Sequence, residues 1–183
     1  KDKISNCNKL KDNSSLQVML TEEETENLLK HVNKAYNMNT NEILLTALGL
    51  AIKKWTSQDK ILINLEGHGR EEIIKGMDIT RTIGWFTTAY PVVLNMEKID
   101  DISYTLKSVK EDMRHIPNKG IGYGILRYLS SEKGSSEGFK IKPEISFNYL
   151  GQFDNVLDSG LFSLSTMSSA SSISPESEIQ YAL

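Results

Sequence analysis

Residues 61–71 read ILINLEGHGRE, and this stretch decides how the chain folds. Its first half is short, rich in branched aliphatic residues and bounded by glycine, which is typical of a strand in the interior of a sheet. Gly67 and Gly69 then free the backbone, so that Glu66, His68 and Arg70 lie where a strand ends and a loop begins. Because loops held by strand ends often carry chemistry, we expect a central strand that leads into a functional loop.

Two helices are predicted before this strand. Thr21 and Glu24 have the spacing of a capping box, which predicts the start of the first helix. The second helix is expected to begin at Thr40 or Asn41 and to run to Trp55. Its apolar residues form a wide stripe, so we expect it to be deeply buried. The stripe consists of Ile43, Leu44, Ala47, Leu48, Ala51, Ile52 and Trp55.

Two further extended segments are predicted. Thr87 to Asn95 has strand character, and Pro91 places it at a sheet edge, a bulge or a strand start, because proline cannot donate to the ladder. Residues 145–149 alternate apolar and polar side chains, as in a half-buried strand. Helices and strands are interleaved along the chain, which indicates an α/β or α+β layer architecture.

The region between these segments predicts two more helices. The cleaner one is expected to open at Asp100 or Asp101 and to be stopped by Pro117. A shorter helix is predicted from Tyr123 to Ser131. The glycines of Gly120 to Gly124 follow no strand and lack dinucleotide-binding spacing, so we interpret them as a tight loop before this helix and not as a nucleotide site.

The composition of the chain excludes several classes of function and site. The 183 residues include 21 Lys and Arg against 24 Asp and Glu, a net charge of -3, which gives no electrostatic footprint for nucleic acid. The single cysteine, Cys7, excludes an intrachain disulfide and a thiolate metal cluster, and fits a reducing cytoplasm. The apolar runs are far shorter than the ~20 residues of a membrane helix. We expect one domain, or one lobe of a larger domain.

Glu66 is the strongest candidate for acid–base chemistry. It follows an apolar run, and partial desolvation there would raise the pKa of its carboxyl toward values useful near neutral pH. A plain surface charge cluster is the alternative. Arg70 is interpreted either as a group that orients such a carboxylate or as a member of a surface ion pair. His68 stays ambiguous, since the motif lacks the partners of a metal site.

Four other positions have two interpretations from the residues alone. Trp85 and Phe86 pack in the core or line a site. Asn148 and Tyr149 carry hydrogen-bond donors suited to an oxyanion, but an ideal strand points them to opposite faces. Unless a bulge intervenes, only one of the two can face a common site.

Five stretches together resemble the C-terminal half of an epimerization domain of nonribosomal peptide synthetases. EGHGRE at 66–71 and FNYLGQF at 147–153 match that family's motifs without change. Residues 41–49 (NEILLTALG), 81–91 (RTIGWFTTAYP) and 117–124 (PNKGIGYG) are similar to three others. The resemblance implies a chloramphenicol-acetyltransferase-like lobe, with a mixed sheet packed by helices.

The resemblance also implies roles for residues. Glu66 matches the family's catalytic glutamate, and Arg70, Asn148 and Tyr149 match positions that support activity by orientation or enolate stabilisation. Trp85, Phe86 and Tyr90, with His68, are then expected near the substrate tunnel. The serine-rich residues 159–178 are interpreted as a loop within the 1–183 lobe.

The implied activity is inversion of the α-carbon of an aminoacyl or peptidyl thioester, carried on the 4'-phosphopantetheine of a carrier domain. The implied partners are that carrier domain and an N-terminal lobe, with no other cofactor, nucleic acid or membrane. The family's HHxxxDG motif lies in the N-terminal lobe and does not occur in this sequence. The first residue is Lys, so we expect a piece of a longer chain that is inactive alone. The alternatives are a condensation-domain lobe, which forms peptide bonds, and a carrier-docking module without chemistry.

Overall fold

The computed structural model describes residues 9–130, 139, 141–151, 167 and 173–183. Their helices are α1 (Glu22–Glu26), α2 (Asn33–Tyr36), α3 (Thr40–Thr56), α4 (Ile102–Arg114) and α5 (Ile121–Leu129). A π-helical segment, Asn27–Val32, joins α1 to α2, and 3-10 turns lie at Leu10–Asp12 and Pro117–Gly120. The strands are β1 (Lys60–Gly67), β2 (Thr88–Asn95) and β3 (Ile145–Phe147).

The three strands form one mixed sheet in the order β2-β1-β3. β1 runs antiparallel to β2 and parallel to β3, so the prediction of a central strand at 61–66 is confirmed. Pro91 of β2 lies opposite Asn64 of β1. Because β2 is at the edge of the described sheet, the backbone N–H that proline lacks is not needed for a hydrogen bond to a neighbouring strand. The mixed sheet packed with helices is the predicted fold class.

One face of the sheet forms the main core. Ile61, Ile63 and Leu65 of β1 are buried on this face beside the buried side chains of β2. Leu45 and Ile52 of α3 pack against them and cover the sheet. Alternation along a strand therefore sends Asn64 and Glu66 to the opposite face. The β2 residues in the main core are Tyr90, Val92 and Leu94.

Helix α3 has the predicted extent, and its buried face matches the predicted stripe only in part, at Ile43 and Ile52. Trp55 is 73% exposed, and Ala47 and Ala51 are also exposed. The helix is apolar nearly all round, so the sequence stripe did not fix its rotation. Gly49 suits the observed rotation, because a Cβ there would lie 2.4 Å from Cε of Met96, whose buried side chain packs against this position. The buried positions are Glu42, Ile43, Leu45, Thr46, Gly49 and Ile52.

A buried carboxylate closes the start of α3. Glu42 forms a capping box with Asn39, one residue before the predicted start. Its side chain is 4% exposed and accepts a hydrogen bond at 3.1 Å from Nε of Arg114, at the end of α4. Since a buried charge is tolerated only when it is paired, this contact joins the two helices at a defined position.

The two helices between β2 and β3 lie close to their predicted positions in the sequence. Asp101 caps α4 through its side chain, as predicted, and α5 covers most of the predicted 123–131 segment. Gly122 and Gly124 lie inside α5, so the loop interpretation was wrong for them and holds only for Gly120.

Gly120 is required by its position against the sheet. Its φ is +79°, and a Cβ would lie 2.2 Å from the ring of Tyr90. Tyr90 is itself buried in the main core, so its ring cannot move aside cheaply. The contact fixes where α5 begins relative to β2.

Arg70 holds the loop that follows β1. Its guanidinium donates to the carbonyl oxygens of Ile79 at 2.7 Å, Thr82 at 2.8 Å and Gly84 at 3.3 Å. It also lies 4.4 Å from the ring centroid of Phe86. The planar fork of arginine suits such a set of acceptors. Arg70 thereby ties residues 79–86 to the end of β1, and we call this group the Arg70 clamp.

The predicted serine-rich loop, 159–178, lies outside the described residues except for Met167 and 173–178. In that last stretch Leu10 donates its backbone N–H to Ser177 and Lys11 donates to Pro175. Cys7 and Phe153 also lie outside the described residues. Among the described helices, none is long and apolar enough to cross a membrane.

We expect Gly120→Ala to destabilise the protein by about 3 kcal/mol, since it combines a left-handed backbone with a clash against Tyr90. Urea unfolding followed by circular dichroism measures this loss. Gly124→Ala is the matched control: nothing lies within 4 Å of its Cβ position, and alanine favours a helix by about 1 kcal/mol. Equal effects of the two substitutions would contradict the packing argument.

We expect Arg70→Lys to loosen residues 79–86, because lysine cannot reach three carbonyls and stack on Phe86 together. Trypsin should then cleave after Arg81 faster than in the unchanged protein. Arg127→Lys removes a guanidinium from α5 and should leave that cleavage rate unchanged. An unaltered rate in Arg70→Lys would mean that the clamp does not hold this segment.

Candidate functional site

Glu66 and Asn148 converge at one edge of the sheet. β1 and β3 are parallel, with Leu65 opposite Phe147, so the residues that follow these two positions lie side by side. Nδ2 of Asn148 donates a hydrogen bond to Oε2 of Glu66 at 3.1 Å. Glu66 is half-buried and Asn148 is exposed. The pair is a carboxylate oriented by an amide and open to a ligand.

A cleft of about 1050 Å³ runs along the same face of the sheet. Asn64 and Ala89 line it from the sheet, and Ala89 is the partner of Glu66 across β1 and β2. Asn64 is buried and its Nδ2 donates to Oγ of Ser146 at 3.4 Å. The opposite wall comes from α5 and from residues 178–181. Glu66 therefore lies beside residues that line the cleft.

Tyr181 is a wall residue that sequence reasoning missed. Burial raises the pKa of its phenol, and the negative charge of Glu66 raises it further. The backbone after it is fixed, because Ala182 and Leu183 donate to the carbonyl of Glu144. Tyr181 belongs to no motif and is distant from Glu66 in sequence, so only the fold could reveal that the charge of Glu66 acts on a residue of the cleft wall.

Tyr149 does not join the Glu66–Asn148 pair. β3 ends at Phe147, and the described hydrogen bonds to Glu66 come from Asn148 and not from Tyr149. The expectation that only one of these adjacent residues faces the site thus fits the geometry around Glu66.

The position of Arg70 differs from the sequence interpretation. Its described partners are the backbone carbonyls of the Arg70 clamp, so the guanidinium neither orients Glu66 nor forms a surface ion pair. Gly69 makes this possible, because its φ is +65° and a Cβ would overlap the carbonyl oxygen of Phe86. Arg70 shapes the loop beside the site instead of facing the cleft.

His68 turns away from Glu66 as well. Nδ1 accepts the backbone N–H of Arg70 at 3.0 Å, and Nε2 lies 3.2 Å from a carboxylate oxygen of Glu71. Among the described residues, no group of three or more acidic, histidine or cysteine side chains is placed to hold a metal ion.

The aromatic residues expected near a tunnel occupy three different environments. Trp85 is 90% exposed, so the core interpretation was wrong for it. Phe86 is half-buried under the Arg70 clamp. Tyr90 is buried on the core face, opposite Leu65, where burial and then the charge of Glu71 raise the pKa of its phenol. Tyr90 is therefore on the face of the sheet that Glu66 does not share.

The arrangement supports proton transfer at Glu66. A carboxylate can accept a proton from a ligand in the cleft, and Asn148 holds its orientation through a donated hydrogen bond.

Known proteins are similar to this chain over almost its whole length. It is 53% identical to surfactin synthase subunit 1 of Bacillus subtilis (strain 168) over 184 residues, covering 100% of this chain and 5% of that protein. It is 55% identical to gramicidin S synthase 1 of Brevibacillus brevis over 177 residues, covering 96% and 16%. The chain thus spans a small part of these relatives.

A solved structure is similar as well. The crystal structure of the epimerization domain from the third module of tyrocidine synthetase B superposes with a TM-score of 0.88 at 50% identity, over 98% of this chain and 40% of that one. The sequence also matches the Condensation domain family over residues 1–183. With the mixed sheet and helices described above, these matches establish that the chain belongs to the condensation-domain family of nonribosomal peptide synthetases.

Proposed function

We propose that this chain contributes one wall of an epimerization site, in which an α-carbon of an aminoacyl or peptidyl thioester is inverted between the L and D configurations. The observation that carries the proposal is the Glu66–Asn148 pair beside the cleft. The similarity to a solved epimerization domain and the unchanged EGHGRE and FNYLGQF stretches support it.

Inversion needs two proton-transfer groups on opposite sides of the α-carbon. Glu66 takes or returns the proton on one side. The second group belongs to the N-terminal lobe of the domain, whose HHxxxDG histidine faces Glu66 in the family that the sequence resembles. A thioester acidifies the α-proton, and hydrogen-bond donors stabilise the enolate that forms when the proton leaves.

The substrate arrives on the 4'-phosphopantetheine arm of a carrier domain, and the lobe itself binds no other cofactor. The partners are therefore the carrier domain, the N-terminal lobe and the thioester. A cytoplasmic location, where such synthetases meet their aminoacyl substrates, belongs to the same proposal.

A condensation-domain lobe is the second candidate. The match to the Condensation domain family favours it, because that family includes acyl transferases that join two carrier-bound thioesters. A third candidate, a docking module without chemistry, requires only carrier binding. The three differ in product: an inverted residue, a new peptide bond, or neither.

We expect Glu66→Gln, in a complete domain containing this chain, to lower α-proton exchange by at least a hundredfold, because the amide cannot accept the proton. The measurement is deuterium incorporation from D2O into a carrier-bound substrate, read by mass spectrometry, together with chiral analysis of the released residue. Glu72→Gln is the control, since this carboxylate lies in the loop and accepts a hydrogen bond from Gly76.

Unchanged exchange in Glu66→Gln would overturn the role of Glu66. A peptide product without inversion would favour the condensation candidate, and carrier binding with neither product would favour the docking module. Asn148→Ala should give a smaller loss, on the order of tenfold, because it removes the orienting bond and leaves the base in place.

A further inference from the structure

The segment just before α5 is strained and is held by one ion pair. Asn118, Lys119 and Gly120 are three consecutive residues with left-handed backbone, at φ of 46°, 50° and 79°. Only the glycine adopts such angles without cost. Nζ of Lys119 lies 2.8 Å from Oε2 of Glu71. The strained segment is thus tied to the last residue of the EGHGRE stretch.

Glu71 is placed to act as a junction. Its side chain is only 20% exposed, although the loop around it is open to solvent. Its other carboxylate oxygen lies 3.2 Å from Nε2 of His68, and its charge reaches the buried phenol of Tyr90. Tyr90 in turn packs under Gly120. Glu71 therefore lies between the loop after β1, where it contacts His68, and the segment before α5, where it contacts Lys119.

These contacts link the loop after β1 to the start of α5. Glu66 lies in β1, five residues before Glu71, and the Arg70 clamp fixes the loop that follows the strand. On the far side, α5 starts directly after Gly120 and supplies Tyr123 and Arg127 to the cleft wall. The ion pair between Glu71 and Lys119 therefore connects the loop after β1 to the segment that leads into α5.

We infer that Glu71 is a positioning residue, whose ion pair with Lys119 sets the distance between Glu66 and the α5 wall of the cleft. The expected effect on catalysis rests on the proposed epimerization function. The effect of the ion pair on the position of α5 does not depend on that function.

The experiment compares three variants of the complete domain that contains this chain: Glu71→Gln, Lys119→Met and the charge-reversed double variant Glu71→Lys with Lys119→Glu. Each single change should lower kcat/KM for α-proton exchange about tenfold, since a displaced wall misplaces the substrate against Glu66. The double variant should recover most of that loss. Lys107→Met, an exposed lysine on α4, is the control and should change nothing.

Two further measurements distinguish a positioning role of the ion pair from an effect on stability, and test that role independently of the proposed function. The melting temperature should change little in any variant, because Lys119 is 71% exposed and exposed pairs contribute little to stability. Amide hydrogen exchange of residues 121–124 should become faster in each single variant and return in the double one. This exchange needs no enzymatic activity.

The outcomes are distinct. If the unchanged domain shows no α-proton exchange, the proposed function fails while the amide measurement still decides the ion pair. Unchanged kcat/KM and unchanged amide exchange in both single variants would overturn the positioning role. A double variant no better than the single ones would overturn the ion pair as its cause. A loss of activity that follows a fall in melting temperature would assign Glu71 to stability alone.

Discussion

In the parallel pairing of β1 with β3, Leu65 lies opposite Phe147, and the residue that follows each of them carries a polar group of the site. The two strands are 82 residues apart in sequence at this point, so only the pairing brings Glu66 to Asn148. A shift of the register by one residue would send one of these side chains to the apolar core. The register is held because Ile61, Ile63 and Leu65 are buried on the core face. The packing of the core thus fixes the geometry of the polar face.

In the loop after β1, backbone carbonyls accept the hydrogen bonds of a charged side chain, Arg70, which is then not available to a nearby carboxylate. From the sequence, Arg70 had two possible roles, to orient a carboxylate such as Glu66 or to form a surface ion pair. The carbonyls of residues 79–84 take its donors instead, because a loop without regular structure leaves carbonyls that need partners. The guanidinium satisfies them and stacks on Phe86. The resulting rigidity fixes where the strand end, and with it Glu66, lies.

Local patterns predicted the elements, and distant contacts decided their faces. The caps at Thr21 and Asp101 and the central strand were evident because each depends on neighbours a few residues away. The rotation of α3 about its axis was not evident from the sequence, because it depends on distant contacts such as that of Gly49 with Met96. The partners of Arg70 were also hidden, since backbone carbonyls have no signature in a sequence. Glu66 and Asn148 were both singled out from the sequence, but only the fold shows the hydrogen bond between them.

The two faces of the sheet differ in what can cover them. The core face meets apolar side chains of α3 and α4 and needs no other partner. The opposite face carries Asn64, Glu66 and Asn148, whose burial under an apolar layer would cost several kcal/mol for each unpaired polar group. A cover for this face must therefore supply hydrogen bonds or hold water. The thioester of the proposed function, whose amide groups can hydrogen-bond, meets that requirement. The half-buried carboxylate of Glu66 on this face is then the group that the proposal uses for proton transfer.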